Sequence, residues 1–315
     1  MHTPTPPLTS RIARALRRSL LTGLFLAAPA TQAATLFVSN ANNNTITKFD
    51  STTGANLGTF ASSANGLNQP YGLAFDSTGN LFVANWANSN ILKFSTVTGQ
   101  STVFASGTGA TKGLAFDSAG NLYVAKYLDA QIMKFTPGGV GSVFASSVQN
   151  PTGLDFDSAG NLYVRSFSND IYKFTPGGVG SLFGSNHALD NPEGLAFDSA
   201  GNLFVASTDS NRIIKFTPGG VSSVFASSGL SSPYGLEFDS AGNLYAANRG
   251  AGTIMKYTPD GTGSVFASGL SGPAYLAFEP EAVPEPSRTL LLGAGLMGVM
   301  LRRRRRSSGP DARPL

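Results

Sequence analysis

Apolar and polar residues alternate along most of the chain in runs of four to six residues, separated by short polar turns. The alternation has the period of a β-strand, and the intervening Asp-Ser-x-Gly-Asn and Thr-Pro-Gly-Gly sequences are typical of tight turns. The sequence Gly-Leu-Ala-Phe-Asp at residues 72–76 recurs with at most one change at 113–117, 153–157, 194–198 and 235–239, and in degenerate form at 275–279. Successive copies are 41, 40, 41, 41 and 40 residues apart. The chain is therefore an array of structural repeats.

Each repeat contains four predicted strands. A second strand follows the Gly-Asn turn, a third ends in Lys-Phe or Lys-Tyr, and a fourth resembles the Val-Phe-Ala-Ser sequence at residues 103–106. Four short antiparallel strands in about 41 residues are typical of a β-propeller blade. Helical repeats of similar length are excluded by the β-branched and aromatic residues and by frequent Gly and Pro. The sequence predicts an all-β fold.

The ends of the array determine the number of blades. Second strands begin at six leucines, but the first of them has no preceding strand, and the strand at 275–279 has no following blade. Pairing the N-terminal strands with this C-terminal strand would complete a blade and remove both open edges. We therefore predict a six-bladed β-propeller over residues 34–281, built from four-stranded antiparallel blades.

The N-terminal segment has the layout of a secretory signal peptide. Four arginines precede an apolar run at residues 20–28, and small residues follow Pro29. Residues 1–33 are predicted to be removed by signal peptidase, with cleavage between Ala33 and Ala34.

The C-terminal segment, residues 282–315, combines a short motif, an apolar run at 289–301 and a cluster of arginines. Thirteen apolar residues span about 20 Å, less than the hydrocarbon core of a bilayer. This order of features resembles the PEP-CTERM sorting signal of Gram-negative bacteria. The resemblance implies an exosortase partner, transient inner-membrane anchoring through residues 289–301, and a final location at the cell surface or outside the cell. A simple C-terminal membrane anchor is the alternative. The predicted sorting residues are Pro284, Glu285, Pro286, Arg302, Arg303 and Arg304.

Composition and charge exclude several classes of function. The chain of 315 residues has no cysteine and two histidines, so it lacks disulfides, thiolate metal sites and a cysteine nucleophile. Its net charge is +4, but the arginine-rich ends carry +4 at residues 1–33 and +6 at residues 287–315. The region between them therefore carries −6 and has no basic stripe, which disfavours a nucleic-acid partner.

The repeat resembles the NHL family and the related gluconolactonase-like and streptogramin-lyase-like propellers. The resemblance is carried by Pro-Tyr-Gly-Leu-Ala-Phe-Asp at 70–76, Gly-Asn-Leu-Phe-Val-Ala-Asn at 79–85 and Asn-Ile-Leu-Lys-Phe at 90–94. It implies the fold and not one function, because such propellers include binding modules and enzymes.

The six copies can be compared with one another. The turns between first and second strands are nearly constant, so we interpret their aspartates as structural, whereas the loops between second and third strands vary. Amides with Trp or Tyr can bond sugar hydroxyls and stack on sugar rings, which favours a non-catalytic binding module for polysaccharide or another matrix component, without a cofactor. A structural matrix protein is a further possibility. The candidate binding residues are Asn40, Asn85, Trp86, Lys126, Tyr127, Arg165, Asp209, Asn248 and Arg249.

An enzyme is the alternative that the resemblance leaves open. Streptogramin-lyase-like propellers use a histidine, and His187 is the histidine within the predicted propeller. Gluconolactonase-like enzymes bind a divalent cation through Glu, Asn and Asp. The resemblance gives Glu193 as the nearest match, accompanied by Asp209 and by Asn40, Asn85 or Asn248. Calcium is expected only under this alternative of a metal-dependent lactonase or a lyase.

Overall fold

The computed structural model describes residues 34–185 and 189–280. The predicted signal peptide at 1–33, the sorting region at 282–315 with its apolar run, and His187 lie outside the described residues. Within them, 24 strands form six four-stranded antiparallel sheets.

The first and second strands of the blades lie closest to the axis of the ring. Strands are numbered in chain order. The innermost strands are β4 (Pro70–Phe75), β8 (Thr111–Phe116), β12 (Leu154–Phe156), β16 (Pro192–Phe197), β20 (Pro233–Phe238) and β24 (Pro273–Phe278). The second strands are β5 (Asn80–Asn85), β9 (Leu122–Lys126), β13 (Leu162–Arg165), β17 (Leu203–Ser207), β21 (Leu244–Asn248) and β1 (Thr35–Asn40).

The third and fourth strands form the outer half of each blade. The third strands are β6 (Asn90–Ser95), β10 (Gln131–Phe135), β14 (Asp170–Phe174), β18 (Arg212–Phe216), β22 (Thr253–Tyr257) and β2 (Thr45–Asp50). The fourth strands are β7 (Ser101–Ser106), β11 (Gly141–Ser146), β15 (Gly180–Ser185), β19 (Ser222–Ala226), β23 (Gly263–Ala267) and β3 (Asn56–Ala61). Two single-turn 3-10 helices, Ser63–Asn65 and Trp86–Asn88, occupy loops.

The ring closes by pairing the last strand with the first. β24 joins β1, β2 and β3 in one sheet, with Leu36 opposite Phe278 and Val38 opposite Leu276. Each innermost strand also contacts the innermost strand of both neighbouring blades. The predicted six-bladed propeller and its mode of closure are thereby confirmed.

A glycine within the innermost strand of four blades, and directly before it in a fifth, permits the blades to approach closely at the axis. A Cβ atom added to Gly113 would lie 2.1 Å from the carbonyl oxygen of Thr152 in the next blade, well inside van der Waals contact. The corresponding distance at Gly72, to the carbonyl of Lys112, is 2.2 Å. The recurring glycine of the repeat is therefore a packing requirement.

Aromatic side chains join neighbouring blades. Phe82 of β5 packs edge-to-face on Phe104 of its own blade, at 4.9 Å between ring centroids, and on Phe116 of the next blade, at 5.0 Å. The same pair of contacts recurs around the ring, centred on the second-strand aromatics Phe37, Tyr123, Tyr163, Phe204 and Tyr245. Because each contact buries apolar area across a blade boundary, the hydrophobic core is continuous between blades.

The repeated aspartates organise the turns that follow the innermost strands. Asp117 Oδ1 accepts the backbone N–H of Asn121 at 2.8 Å, and its Oδ2 lies 3.6 Å from Lys134 Nζ in the third strand. Equivalent aspartate–lysine pairs at 3.3–4.0 Å occur at Asp76, Asp157, Asp198 and Asp239. Their carboxylates thus serve the turns and third strands of their own blades, in agreement with the structural interpretation.

Removing the closing strand should open the ring. A chain shortened after Gly272 loses β24, including the buried side chain of Leu276. The edge of β1 is then left without a pairing strand. Since burying a leucine alone contributes about 2–5 kcal/mol, we expect the thermal midpoint to fall by roughly 10 °C or more, with association through the open edge. A chain shortened after Pro280 is the control, and equal midpoints in the two chains would contradict the closure.

Replacing an axial glycine should lower the stability of the propeller while leaving its surface residues unchanged. We expect Gly113→Ala to lower the free energy of unfolding by about 3 kcal/mol because its methyl group would overlap the backbone carbonyl of Thr152 in the next blade. Gly138→Ala is the matched control, since the nearest atom to its Cβ is 3.9 Å away and its φ is not positive. Urea denaturation of both variants measures the difference, and similar losses would show that the close approach is unimportant.

Candidate functional site

The two ends of the ring differ in construction. Pro70 at the start of β4 lies opposite Asn85 at the end of β5, and Thr111 lies opposite Lys126 in the next blade. The start of each innermost strand therefore lies at the same end as the variable loops between second and third strands. We call this the variable end of the propeller.

The residue preceding the axial glycine, or its counterpart Tyr275, projects at the variable end in every blade. These six positions hold Tyr71, Lys112, Thr152, Glu193, Tyr234 and Ala274. Lys112 Nζ donates to Glu193 Oε1 at 3.0 Å, and both side chains are buried. An ion pair between blades thus occupies the centre of this end.

Four aromatic rings surround the ammonium group of Lys112. Its Nζ lies 4.6 Å from the ring centroid of Tyr127, 5.4 Å from Tyr234, 5.8 Å from Trp86 and 5.9 Å from Tyr71. Each distance is within the range of a cation–π interaction. We call these four residues the aromatic group.

Burial lowers the pKa of Lys112, because a protein interior solvates an ammonium poorly. The charge of Glu193 opposes this shift, whereas the positive charges of Arg165 and Arg249 add to it. Two arginines therefore lie within electrostatic range of the ion pair, although each affects Lys112 less than burial or Glu193 does.

The structure brings together two of the residues predicted to bind a ligand. The rings of Trp86 and Tyr127, in adjacent blades, lie 5.5 Å apart, and Tyr71 lies 5.6 Å from Trp86. All three are partly exposed. Their arrangement offers an apolar surface on which the face of a flat ring could stack.

The two predicted arginines flank this surface at different depths. Arg249 is partly exposed, and its Cζ lies 5.3 Å from the ring centroid of Tyr71 and 5.0 Å from that of Tyr234. Its Nη1 also donates a hydrogen bond to the hydroxyl of Tyr71 at 3.2 Å. Arg165 is 1% exposed and donates from Nη2 to Asn191 Oδ1 at 2.9 Å. Among the described residues, neither arginine has an ion-pair partner.

The three predicted asparagines lie inside the blades. Asn40, Asn85 and Asn248 are at most 1% exposed, and their amides are engaged locally. Asn85, for example, accepts the backbone N–H of Asn68 at 2.6 Å and donates to the carbonyl of Gly66 at 2.9 Å. Such contacts hold the preceding loops, so these residues do not present their side chains at the surface.

Two further predicted residues have local partners at the variable end. Lys126 Nζ lies 2.6 Å from Asp129 Oδ2. Asp209 is exposed and accepts a hydrogen bond from Asn191 at 3.4 Å. Within residues 34–185 and 189–280, no group of three His, Cys, Asp or Glu side chains could hold a metal ion. The acidic pair suggested for a cation therefore has no third acidic or histidine ligand there.

Two acidic residues on the innermost strands were not identified from the sequence. Asp155 and Glu237 occupy the position held by alanine in the other four blades. Asp155 accepts the backbone N–H groups of Phe156 and Phe197 at 2.8 and 2.9 Å. Burial raises the pKa of Asp155 to about 6, and burial with the charge of Asp155 raises the pKa of Glu237 to about 8. Comparison of the repeats at this position would have found both.

The C-terminal segment matches a known sorting signal. Residues 282–306 match the PEP-CTERM protein-sorting motif. The chain is thus a six-bladed β-propeller with a motif that indicates export and processing by an exosortase. No helix within the described residues is long and apolar enough to cross a membrane.

Comparison with solved structures supports the fold. One chain of a nidogen/laminin complex is similar with a TM-score of 0.70 and 18% identity, covering 79% of this chain and 99% of its own. Virginiamycin B lyase from Staphylococcus aureus has a TM-score of 0.60 and 14% identity, over 80% of this chain and 94% of its own. A streptogramin B lyase has a TM-score of 0.53 and 13% identity, over 79% of this chain and 96% of its own. Among curated proteins, none matches the chain in sequence.

The carboxyl groups of Asp155 and Glu237 should make stability depend on pH. Because the pKa of Glu237 is about 8 in the folded state and near 4.5 when unfolded, the folded state binds the extra proton, and the free energy of unfolding falls as pH rises from about 4.5 through 8. The slope is at most about 1.4 kcal/mol per pH unit for each group. We expect Glu237→Gln to lose much less stability than the wild type between pH 5 and 8.5 in urea titrations. Glu279→Gln is the control, and an unchanged slope in Glu237→Gln would contradict the assignment.

Proposed function

We propose that this protein is an exported, non-catalytic binding module that recognises a polysaccharide or another matrix component through the variable end of its propeller. The proposal includes removal of the signal peptide between Ala33 and Ala34 and transient anchoring through residues 289–301. It also includes delivery to the cell surface or the extracellular matrix after exosortase processing. The PEP-CTERM motif supports the route.

The observation that carries the binding role is the partly exposed aromatic surface of Tyr71, Trp86 and Tyr127. These rings lie side by side at 5.5–5.6 Å, and cation–π contacts with Lys112 hold them in place. A sugar ring has an apolar face of C–H groups, which stacks favourably on such a surface because both lose apolar contact with water. Preorganised rings lose little entropy on binding.

A catalytic role has less support in the described residues. Glu193, the carboxylate suggested for the enzyme alternative, is 5% exposed and has one oxygen bound to Lys112. A general base or metal ligand needs a free carboxylate that the substrate can reach. The similarity to streptogramin-lyase structures lies at 13–17% identity and concerns the fold.

Removing the stacking surface should weaken binding without unfolding the protein. We expect Trp86→Ala and Tyr127→Ala each to reduce retention on the host's own polysaccharide about fivefold, since stacking of an aromatic ring contributes on the order of 1 kcal/mol. Retention is measured by affinity electrophoresis in gels containing that polysaccharide, with thermal midpoints recorded in parallel.

Phe167→Ala is the matched control. Phe167 is 59% exposed in the loop between β13 and β14 at the same end, but it has no ring contact with the aromatic group. Retention should be unchanged in this variant. Wild-type retention that survives both substitutions in the aromatic group would refute the proposed surface.

A further inference from the structure

Three cations and one carboxylate lie in the same region of the variable end. Lys112 is paired with Glu193, while Arg165 and Arg249 lie close enough for their charges to lower the pKa of Lys112. Neither arginine has an acidic partner within the described residues. We call Lys112, Arg165 and Arg249 the cation cluster, whose local charge with Glu193 included is +2.

Arg165 is an exception among the blades. The corresponding residues of four other second strands are alanines with 0% exposure: Ala84, Ala125, Ala206 and Ala247. A buried guanidinium without a counter-ion lowers stability because it loses hydration without gaining a charge partner. Stability alone therefore gives no reason for an arginine at this position, whereas an anion held nearby would.

Several polar atoms around this site lack partners. Glu193 Oε2, Arg165 Nε and the hydroxyl of Tyr275 are buried and have no hydrogen bond within the described residues. Tyr275 lies within electrostatic range of both Glu193 and Arg165, so the three groups belong to one region. Buried polar atoms are nearly always hydrogen-bonded in proteins, and a cluster of exceptions indicates missing polar partners such as ligand atoms or water.

Arg249 supplies the accessible part of the site. Its guanidinium lies over Tyr71 and Tyr234 and makes two hydrogen bonds, to Tyr71 and to Asn42 Oδ1 at 3.5 Å. A guanidinium has five N–H donors in a planar fork that matches a carboxylate, so donors remain for a ligand. Rings that fix the plane of the fork reduce the entropy lost when it binds.

The surroundings select a particular kind of anion. The region between the arginine-rich ends carries −6, and exposed Asp129 and Asp209 lie at the same end as the cation cluster. Beside these acids, the cation cluster offers a positive centre for a carboxylate next to an apolar ring surface, so it favours an anion whose charge is attached to a ring.

We infer that the cation cluster binds the carboxylate of an acidic sugar, with Arg249 as the direct contact and the sugar ring stacked on Trp86 and Tyr127. The inference rests on the proposed function and narrows its ligand to polysaccharides that contain uronic acids. Arg165 acts as a positioning residue, whose buried charge strengthens the potential at the site.

The single tryptophan of the chain provides the test. Trp86 is the only tryptophan, so tryptophan fluorescence, excited selectively over the nine tyrosines, reports on this surface alone. The full chain is titrated with trigalacturonate and with its neutral methyl ester, which has the same sugar backbone. We expect saturable change with trigalacturonate, at least about tenfold weaker binding of the ester, and weakening by salt, since a charge-assisted bond contributes more than a neutral one.

Variants separate a binding role from a structural one. Arg249→Gln should weaken trigalacturonate binding about tenfold while leaving the ester unchanged, and Arg249→Lys should be intermediate because it keeps the charge without the fork. Arg165→Met should weaken trigalacturonate binding while the thermal midpoint stays equal or rises. Arg212→Gln, at an exposed arginine that begins β18, is the control and should bind as the wild type does.

The outcomes distinguish this inference from the proposed function. Equal affinity for the acid and its ester, or an unchanged affinity in Arg249→Gln, would overturn the acidic ligand even if the host polysaccharide is still retained. A lower midpoint with unchanged binding in Arg165→Met would make Arg165 purely structural and refute its role. Loss of retention on every polysaccharide, with no response of Trp86 fluorescence, would overturn the proposed function as well.

Discussion

The close approach of backbones around the axis is the constraint on which the rest of the structure depends. Where Gly113 lies against the carbonyl of Thr152, no side chain fits between the two innermost strands. The blades can therefore converge until the residues just before these glycines meet at one end. Lys112 and Glu193 form an ion pair across the ring for this reason, although 81 residues separate them. Packing at the axis creates the site.

Repetition and variation serve different purposes in this chain. The aspartate turns, the edge-to-face aromatic contacts and the axial glycines recur from blade to blade, because each blade must satisfy the same turns and the same neighbours. Three residues depart from the repeat: Arg165 replaces a small residue, and Asp155 and Glu237 replace alanine. The repeated turns and aromatic contacts do not require these three changes. Positions that depart from the repeat are therefore the places where a functional role is best sought.

Period and turn chemistry were sufficient to predict the fold, since the spacing of about 41 residues and the unpaired strand at each end define both the blade and the closure. The site was predicted only in part. Trp86 and Tyr127 were selected because their loops vary, and they do lie together. Asn85 was selected as a binding residue because it is polar. Its amide instead forms hydrogen bonds with backbone groups of the preceding loop, which keep the side chain buried. The pairing of Lys112 with Glu193 depends on the curvature of the ring, which no local pattern encodes.

The position of the closing strand also affects how incomplete chains behave. β24 ends at Phe278, and the sorting motif begins at residue 282. Any chain long enough to display the motif to its processing enzyme already includes the strand that seals the ring. A product of interrupted synthesis that lacks β24 also lacks the motif, so it cannot be sorted with an open edge. The order of these two elements along the chain thus makes the presence of the motif depend on the presence of the strand that closes the ring.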